Sequence, residues 1–327
     1  MTPLYGHDEA VAAFRAGLDA GRLHHAWLIS GPEGIGKALF AEKAALRVLA
    51  AGQGRVDAPG LDIADDHPAA RLIAAGSHPD LMRLERLARD TGSGELARSI
   101  TVDQVRGLSR LFATTASMSP WRVVIIDAVD DLERSAANAL LKNLEEPPPH
   151  SLFLLVSHAS ERLLPTIRSR CRQLRLALLD DDAMTSALRG ALPGAPDREI
   201  AELAAAAPGS PGRALAFQGL DIAALDRALG ELAREGDPTN GRRSALAQSL
   251  ALKAAQPRYE AFLARAPLLA AAEAKGRSGT ALAEAIRTWE RIQSLASSAL
   301  RLSLEPESVA FEIGGLLASL APAQAAR

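Results

Sequence analysis

The sequence is poor in cysteine and in aromatic residues. A single cysteine, Cys171, in 327 residues excludes a disulfide framework and a cysteine-rich zinc site, and it is typical of a protein from a reducing compartment. Aromatic residues make up only 4% of the chain, while alanine and leucine are abundant, and this favours helices over an all-β fold. We therefore expect a cytoplasmic protein that is rich in helices.

The sequence also lacks long apolar runs and an excess of charge of one sign. No stretch reaches about 18 uninterrupted apolar residues, and residues 1–9 show neither the basic nor the apolar part of a signal peptide. We expect neither a secreted nor a membrane-spanning protein. The 37 Lys and Arg residues against 39 Asp and Glu give a formal charge of −2, which argues against a strong general affinity for nucleic acid.

Short apolar runs alternate with helical patterns in the first half of the chain. At roughly 100 to 200 residues per domain, the length predicts two or three domains. The apolar runs are typical of strands buried on both faces, and they lie at 27–29, 81–84, 123–126, 152–156 and 174–178. The alternation predicts a doubly wound α/β domain with a parallel sheet over residues 1–178.

The strand-like runs disappear after residue 178. Apolar faces at helical spacing, broken at two Pro-Gly pairs, predict a small helical domain over 179–236. Residues 235–241 have the composition of a linker, and the pattern beyond them is helical. We therefore predict an all-α C-terminal domain over 237–327.

A glycine-rich loop follows the first apolar run and precedes a helical pattern. Residues 31–38 read Gly-Pro-Glu-Gly-Ile-Gly-Lys-Ala, which is the GxxxxGK phosphate-loop motif in its strand–loop–helix setting. In such a loop, glycines let backbone amides surround a phosphate, and the lysine supplies a positive charge. Gly31, Gly34, Gly36 and Lys37 are therefore predicted nucleotide-binding residues.

Two groups that hydrolysis requires are missing near this loop. Ala38 stands where a Ser or Thr hydroxyl normally binds Mg²⁺. Asp127 ends a buried strand and is a candidate magnesium group, but Ala128 replaces the glutamate that polarises the attacking water in active motors of this type. Ala38 and Asp127 thus belong to a predicted degenerate nucleotide site. Weak binding of ATP or ADP without a metal stays open.

Several segments resemble the clamp-loader branch of the AAA+ ATPases. The Ser-Arg-Cys motif of that branch is similar to Ser169-Arg170-Cys171, and further likenesses lie at residues 23–27, 138–148 and 209–215. The resemblance covers residue 4 to about residue 220. It implies a P-loop (AAA+) domain, a helical lid over 179–236 and an oligomerising collar over 237–327.

The resemblance also implies roles for single residues. Arg170, with Ser169, would reach in trans into the ATP site of a neighbouring gamma/tau subunit, where such a finger contributes roughly 10³ to 10⁵ in rate. Ser157 matches the sensor-1 position and Arg213 the sensor-2 position. Judged by charge alone, Arg170 would belong to a solvated basic face.

The implied function is that of a non-hydrolysing wall subunit that helps to load a sliding clamp on primed DNA during replication. The implied partners are the gamma/tau and delta subunits of the clamp loader, with the clamp and primer–template DNA in the assembled complex. No carboxylate set for nucleotide addition is recognisable, so polymerase chemistry is not assigned to this chain, and whether it is an enzyme by itself stays open.

The four-Cys zinc module of many such proteins is missing. Residues 50–77 contain no cysteine, and His67 and His78 without thiolates are a poor set of zinc ligands. We predict no metal site, and in place of the zinc module we predict a loop followed by a short helix over 69–74.

Two other functions are weighed against the scaffold. An active AAA+ ATPase would bind Mg-ATP through Gly36 and Lys37 and would use Asp127 with a displaced base such as Asp130, but the alanines at 38 and 128 count against it. A direct DNA-binding module would be expected to show a basic surface or stacking aromatic residues.

Overall fold

The computed structural model describes residues 2–88, 96–113, 115–300 and 302–322, and the chain divides into two compact units, 1–214 and 215–327. The first unit contains a five-stranded parallel sheet in the order β2-β3-β4-β1-β5. Its strands are β1 (Ala26–Ser30), β2 (Leu81–Glu85), β3 (Arg122–Asp127), β4 (Ser151–Ser157) and β5 (Arg172–Arg175). The predicted α/β domain with a parallel sheet is confirmed.

Helices connect the strands and complete the first unit, and the last of them, α10, begins in this unit and ends two residues beyond it. They are α1 (Asp8–Asp19), α2 (Lys37–Ala51), α3 (Pro68–Ala74), α4 (Val102–Arg106), α5 (Leu108–Ala113), α6 (Arg134–Glu145), α7 (Pro165–Arg168), α8 (Asp181–Ala191), α9 (Asp197–Ala206) and α10 (Pro211–Ala216). Short 3₁₀ turns lie at Val129–Asp131 and Ser160–Arg162.

In the part of the second unit that the structure describes, all regular secondary structure is helical, as predicted. Its helices are α11 (Ile222–Glu235), α12 (Gly241–Ala251), α13 (Gln256–Lys275), α14 (Gly279–Ala299) and α15 (Pro306–Ala318), with a 3₁₀ turn at Lys253–Ala255. Of the helices described in either unit, none is long and apolar enough to cross a bilayer. The three-domain division at residues 178 and 236 stays a prediction.

The strand predicted at 174–178 is displaced. β5 spans Arg172–Arg175, and of its four residues only Leu174 is buried. The reason is that β5 is an edge strand, paired with β1 alone, so it needs one inward side chain rather than a continuous apolar run. The apolar residues after Leu174 belong to the connection that leads into α8.

Two buried cations on α2 hold the segment that follows this helix, where the sequence predicts a loop and a short helix. The Arg47 guanidinium donates hydrogen bonds to the carbonyls of Val56 and Ala58, each at 3.0 Å, and Lys43 Nζ lies 2.8 Å from an Asp62 carboxylate oxygen. Burial lowers the pKa of Arg47. Because backbone carbonyls need donors when they leave water, Arg47 satisfies a stretch of chain that has no regular structure.

The predicted short helix in this segment is present as α3, which packs Ala69 and Ala70 against Leu46 and Ala50 of α2. Within the described residues, no group of three or more His, Cys, Asp or Glu side chains is placed to hold a metal ion. The absence of a zinc site stays a prediction.

Replacing Arg47 with methionine should destabilise the first unit. The substitution leaves the carbonyls of Val56 and Ala58 without their donor, and an unsatisfied polar group costs about 1–3 kcal/mol. We expect a loss of that order in the free energy of unfolding measured by urea denaturation. The matched control is Arg55→Met in the same segment, because the Arg55 side chain is 89% exposed. Equal losses in the two variants would contradict the role given to Arg47.

Cys171 should be unreactive in the folded protein. It lies between α7 and β5 with 8% of its surface exposed, and burial raises the pKa of its thiol to about 12. Only roughly one thiol in 10⁴ is then ionised at pH 8, and the thiolate is the reactive form. We expect a thiol-specific disulfide reagent at pH 8 to modify the native chain far more slowly than the chain in denaturant. Rapid stoichiometric labelling of the native protein would show that Cys171 is accessible.

Candidate functional site

The phosphate loop joins β1 to α2, and its shape depends on its three glycines. Gly31, Gly34 and Gly36 have φ angles of +147°, +76° and +100°. Residues that have a side chain rarely adopt such φ angles, whereas glycine does so readily. The loop therefore has the glycine-dependent conformation that the sequence predicts, and Ala38 follows it in the first turn of α2 without a polar group.

Lys37 points into its own loop. Its side chain is 3% exposed, and its Nζ donates hydrogen bonds to the carbonyls of Gly31 at 2.8 Å and Pro32 at 2.5 Å. Burial lowers the pKa of the ammonium, while nearby carboxylates, Glu33 first among them, act in the opposite direction. The cation that would meet a phosphate is thus engaged by carbonyl oxygens of the loop.

Neighbouring elements bind the tip of the loop. The carbonyls of residues 33–35 accept hydrogen bonds from Ser210 Oγ, from the backbone N–H of Gly212 and from the His7 ring, each at 2.8 Å. Ser210 and Gly212 lie at the start of α10, and His7 precedes α1. Three consecutive carbonyls are therefore satisfied within the first unit.

Arg213, predicted at the sensor-2 position, lies against this loop through its backbone. A Cβ atom added to Gly34 would come within 2.7 Å of the Arg213 nitrogen and 2.5 Å of Ser210 Oγ. This close approach is a second reason for glycine at position 34. The structure thus brings Arg213 to the residues with which the sequence grouped it.

The ends of β3 and β4 lie at the same edge of the sheet as the loop. Asp127 is opposite Val156, and Ser157 is opposite Ser30, the residue directly before the loop. Ser157 is fully buried and its hydroxyl donates a 2.9 Å hydrogen bond to Asp130. The sequence-predicted residues Asp127 and Ser157 are therefore at the carboxyl edge, where parallel α/β sheets bind ligands.

Asp130 joins the ends of the two strands. Besides the Ser157 hydroxyl, it accepts a 2.7 Å hydrogen bond from the backbone N–H of His158 and a 3.3 Å bond from that of Ala159. Both carboxylate oxygens are used in this way. Because both of its oxygens already accept hydrogen bonds from the end of β4 and the residues after it, Asp130 is poorly placed to act as a displaced catalytic base.

Ser169 and Arg170 lie elsewhere, at the end of α7. Arg170 directs one Nη to the Thr166 carbonyl at 2.9 Å and the other to a Glu145 carboxylate oxygen at 2.8 Å, and 34% of its side chain is exposed. Ser169 donates to the same Thr166 carbonyl at 3.1 Å. An open cleft of about 480 Å³ beside them is lined by Ser160, Glu161, Pro165, Arg168, Ser169 and Gln173.

Arg170 lies near the amino-terminal ends of the strands, and the phosphate loop lies at their carboxyl ends. Arg170 comes two residues before β5 and Glu145 six residues before β4, so both are near the amino-terminal edge, whereas the loop follows the carboxyl end of β1. A strand of five residues is roughly 16 Å long. The predicted site residues therefore form two separate groups.

Three groups that matter here had no predicted role. His7 belonged to no motif, and Ser210 and Glu145 stood inside the 209–215 and 138–148 likenesses without an assigned partner. Glu145 is 25 residues before Arg170 in the chain, so only the packing of α6 beside α7 reveals the pair.

Several known proteins are similar to this chain. A family model described as DNA polymerase III, delta subunit, matches residues 6–180. The delta' subunit of DNA polymerase III from Pseudomonas aeruginosa is 40% identical over 187 residues, 57% of this chain and 53% of that protein. The tau subunit from Escherichia coli is 34% identical over 178 residues, 54% of this chain and 25% of that protein.

Among solved structures, a gamma-subunit-related protein from Thermotoga maritima has a TM-score of 0.44 at 12% identity, covering 95% of this chain and 99% of that one. The matched region spans about half the length of the Pseudomonas delta' relative. Because the family model covers more than half of the present sequence, the chain belongs to the family described as DNA polymerase III, delta subunit.

Proposed function

We propose that this chain is a non-hydrolysing wall subunit of the bacterial DNA polymerase III clamp loader, and that it supplies Arg170 in trans to the ATP site of a neighbouring gamma/tau subunit. The observation that carries the proposal is the position of Arg170. Its guanidinium is half-buried at the amino-terminal ends of the strands, whereas the chain's own phosphate loop lies at their carboxyl ends. An arginine in that place is far from its own loop, which supports a role at a nucleotide held by another chain.

The absence of hydrolysis in this chain follows from its own loop and strand ends. Ala38 offers no oxygen to Mg²⁺, and the buried Ala128 offers no carboxylate to a water molecule. Asp130 is engaged in joining β3 to β4. These three features argue against the alternative of an active AAA+ ATPase.

Nucleotide binding by this chain would require the loop to open. Lys37 would have to leave the carbonyls of Gly31 and Pro32, and hydrogen bonds to a charged group are worth about 1.5–3 kcal/mol each. A bound phosphate would offset this loss only in part, because no hydroxyl at position 38 adds a metal ligand. Any binding of ATP or ADP is therefore proposed to be weak.

Arg170 has the chemistry that a trans-acting finger requires. The guanidinium stays charged at any physiological pH and presents several donors in one plane, which suits the oxygens of a phosphoryl group. As charge develops on the transferred phosphoryl group, a nearby arginine stabilises it. Ser169 supports the turn by bonding to the Thr166 carbonyl that also receives Arg170.

The proposed partners are the gamma/tau and delta subunits, with the sliding clamp and primer–template DNA in the assembled complex. The likeness to both delta' and tau subunits of DNA polymerase III supports subunits of this kind as neighbours. The formal charge of −2 and the low aromatic content of 4% argue against strong DNA binding by the isolated chain. The proposed location is the cytoplasm, at the replisome.

The isolated chain should show no tight nucleotide binding. Because Lys37 is bonded within its loop, titration with a fluorescent ATP analogue and Mg²⁺ should give no saturation below about 1 mM. A Kd of about 1 mM corresponds to a binding free energy of about −4.1 kcal/mol. Lys37→Ala should leave the titration unchanged. Micromolar binding that Lys37→Ala abolishes would show that the loop opens readily and would contradict this part of the proposal.

Arg170→Ala should strongly reduce the clamp- and DNA-stimulated ATPase of the complex reconstituted with gamma/tau and delta. At the site that Arg170 serves, hydrolysis should fall by about 10³-fold or more. In a single-turnover measurement, one slow site per complex should therefore appear. Arg170→Lys should restore little, because an ammonium lacks the planar set of donors.

Two variants control for other effects in this assay. Arg168→Ala removes the same charge from the same surface, and Lys37→Ala removes the phosphate-loop cation, and both should keep the wild-type number of fast sites. ATPase that survives Arg170→Ala but falls with Lys37→Ala would make the chain a motor in its own right and would overturn the proposed function.

A further inference from the structure

We propose that Glu145 is a positioning residue for Arg170: it holds the guanidinium in the unassembled subunit and releases it to the phosphate of the neighbouring site. The inference rests on the proposed function and deepens it. Glu145 Oε1 and an Arg170 Nη are 2.8 Å apart, and the other Nη donates to the Thr166 carbonyl at 2.9 Å. The guanidinium is therefore held from two sides.

The backbone on each side of this pair is fixed by the core. Leu144, next to Glu145 at the end of α6, is buried, and so are Ile167 and Cys171 on either side of Arg170. All three belong to one hydrophobic cluster under the sheet. The separation of the two charged side chains is thus set by packing and does not depend on chance contact between mobile surface residues.

The pair is strong enough to orient Arg170 and weak enough to release it. The side chains of Glu145 and Arg170 are 49% and 34% exposed, and ion pairs in water are worth about 0–1 kcal/mol. A triphosphate carries several charges and accepts bidentate hydrogen bonds from a guanidinium, so it competes well with a single carboxylate. Once released, the Glu145 carboxylate is hydrated rather than left as a buried charge.

The cost of release opposes every transfer of Arg170 to a phosphate, both before and during the reaction. Removing the charge of Glu145 should therefore strengthen the binding of Arg170 to the phosphate equally in the ground state and in the transition state. Such a change lowers KM and leaves kcat unchanged. We expect Glu145→Gln to lower the KM for ATP of the reconstituted complex by up to about fivefold, since 1.36 kcal/mol corresponds to tenfold. The difference from wild type should shrink as salt is raised, because exposed charges are screened.

Glu146→Gln is the matched control. Glu146 is the next residue, it is exposed, and its substitution changes the net charge by the same amount at the same end of α6. It should keep the wild-type KM at every salt concentration. Glu145→Asp, which retains the charge on a shorter side chain, should lie between wild type and Glu145→Gln.

The experiment separates this inference from the proposed function. If Arg170→Ala has no effect on the complex, the proposed function fails and the inference fails with it. If Arg170→Ala removes one fast site but Glu145→Gln behaves as Glu146→Gln, only the inference is overturned. A fall in kcat at unchanged KM would show that the pair persists in the transition state and would also overturn it.

Adding Glu145→Gln to Arg170→Ala should have no further effect, because Glu145 acts only through Arg170. A further change in KM in the double variant would assign Glu145 an independent contact and would contradict the proposal.

Discussion

The structure depends on the hydrogen-bonded pairing of β1 with its two parallel neighbours, β4 and β5. All residues of β1 and β4 are buried, so their register cannot slip without exposing apolar side chains. Because the strands are parallel, all their carboxyl ends lie on one side of the sheet and all their amino-terminal ends on the other. The phosphate loop follows the carboxyl end of β1, and the turn with Arg170 precedes the amino-terminal end of β5. One buried strand thus fixes the distance between the phosphate loop and the half-buried Arg170.

The phosphate loop keeps the shape of its motif, and its carbonyls take part in the packing of the first unit. Gly31, Gly34 and Gly36 retain their unusual φ angles, but Lys37 bonds to the loop itself and α10 binds the tip through Ser210 and Gly212. In this motif, backbone N–H groups and the lysine bind a phosphate, so of these contacts only the bonds of Lys37 would compete with a ligand. The bonds from Ser210 and Gly212 go to carbonyls, and they attach the loop to α10 within the first unit.

The sequence predicted the features that depend on local conformational preference and periodicity, but not those that depend on tertiary packing. The glycines of the loop, the buried run ending at Asp127 and the helix over 69–74 follow from conformational preference and periodicity, and the structure has all three. The bounds of β5 did not follow, because an edge strand needs a single inward residue. The pairing of Glu145 with Arg170 could not be predicted, since it depends on how two helices pack rather than on spacing along the chain.

Arg47 shows how one side chain can hold a stretch of backbone that has no regular structure. Its guanidinium binds carbonyls that lie nine and eleven residues further along the chain, so the path of this segment is determined by a group that α2 carries. A substitution at position 47 would therefore change the backbone of a neighbouring segment as well as α2 itself.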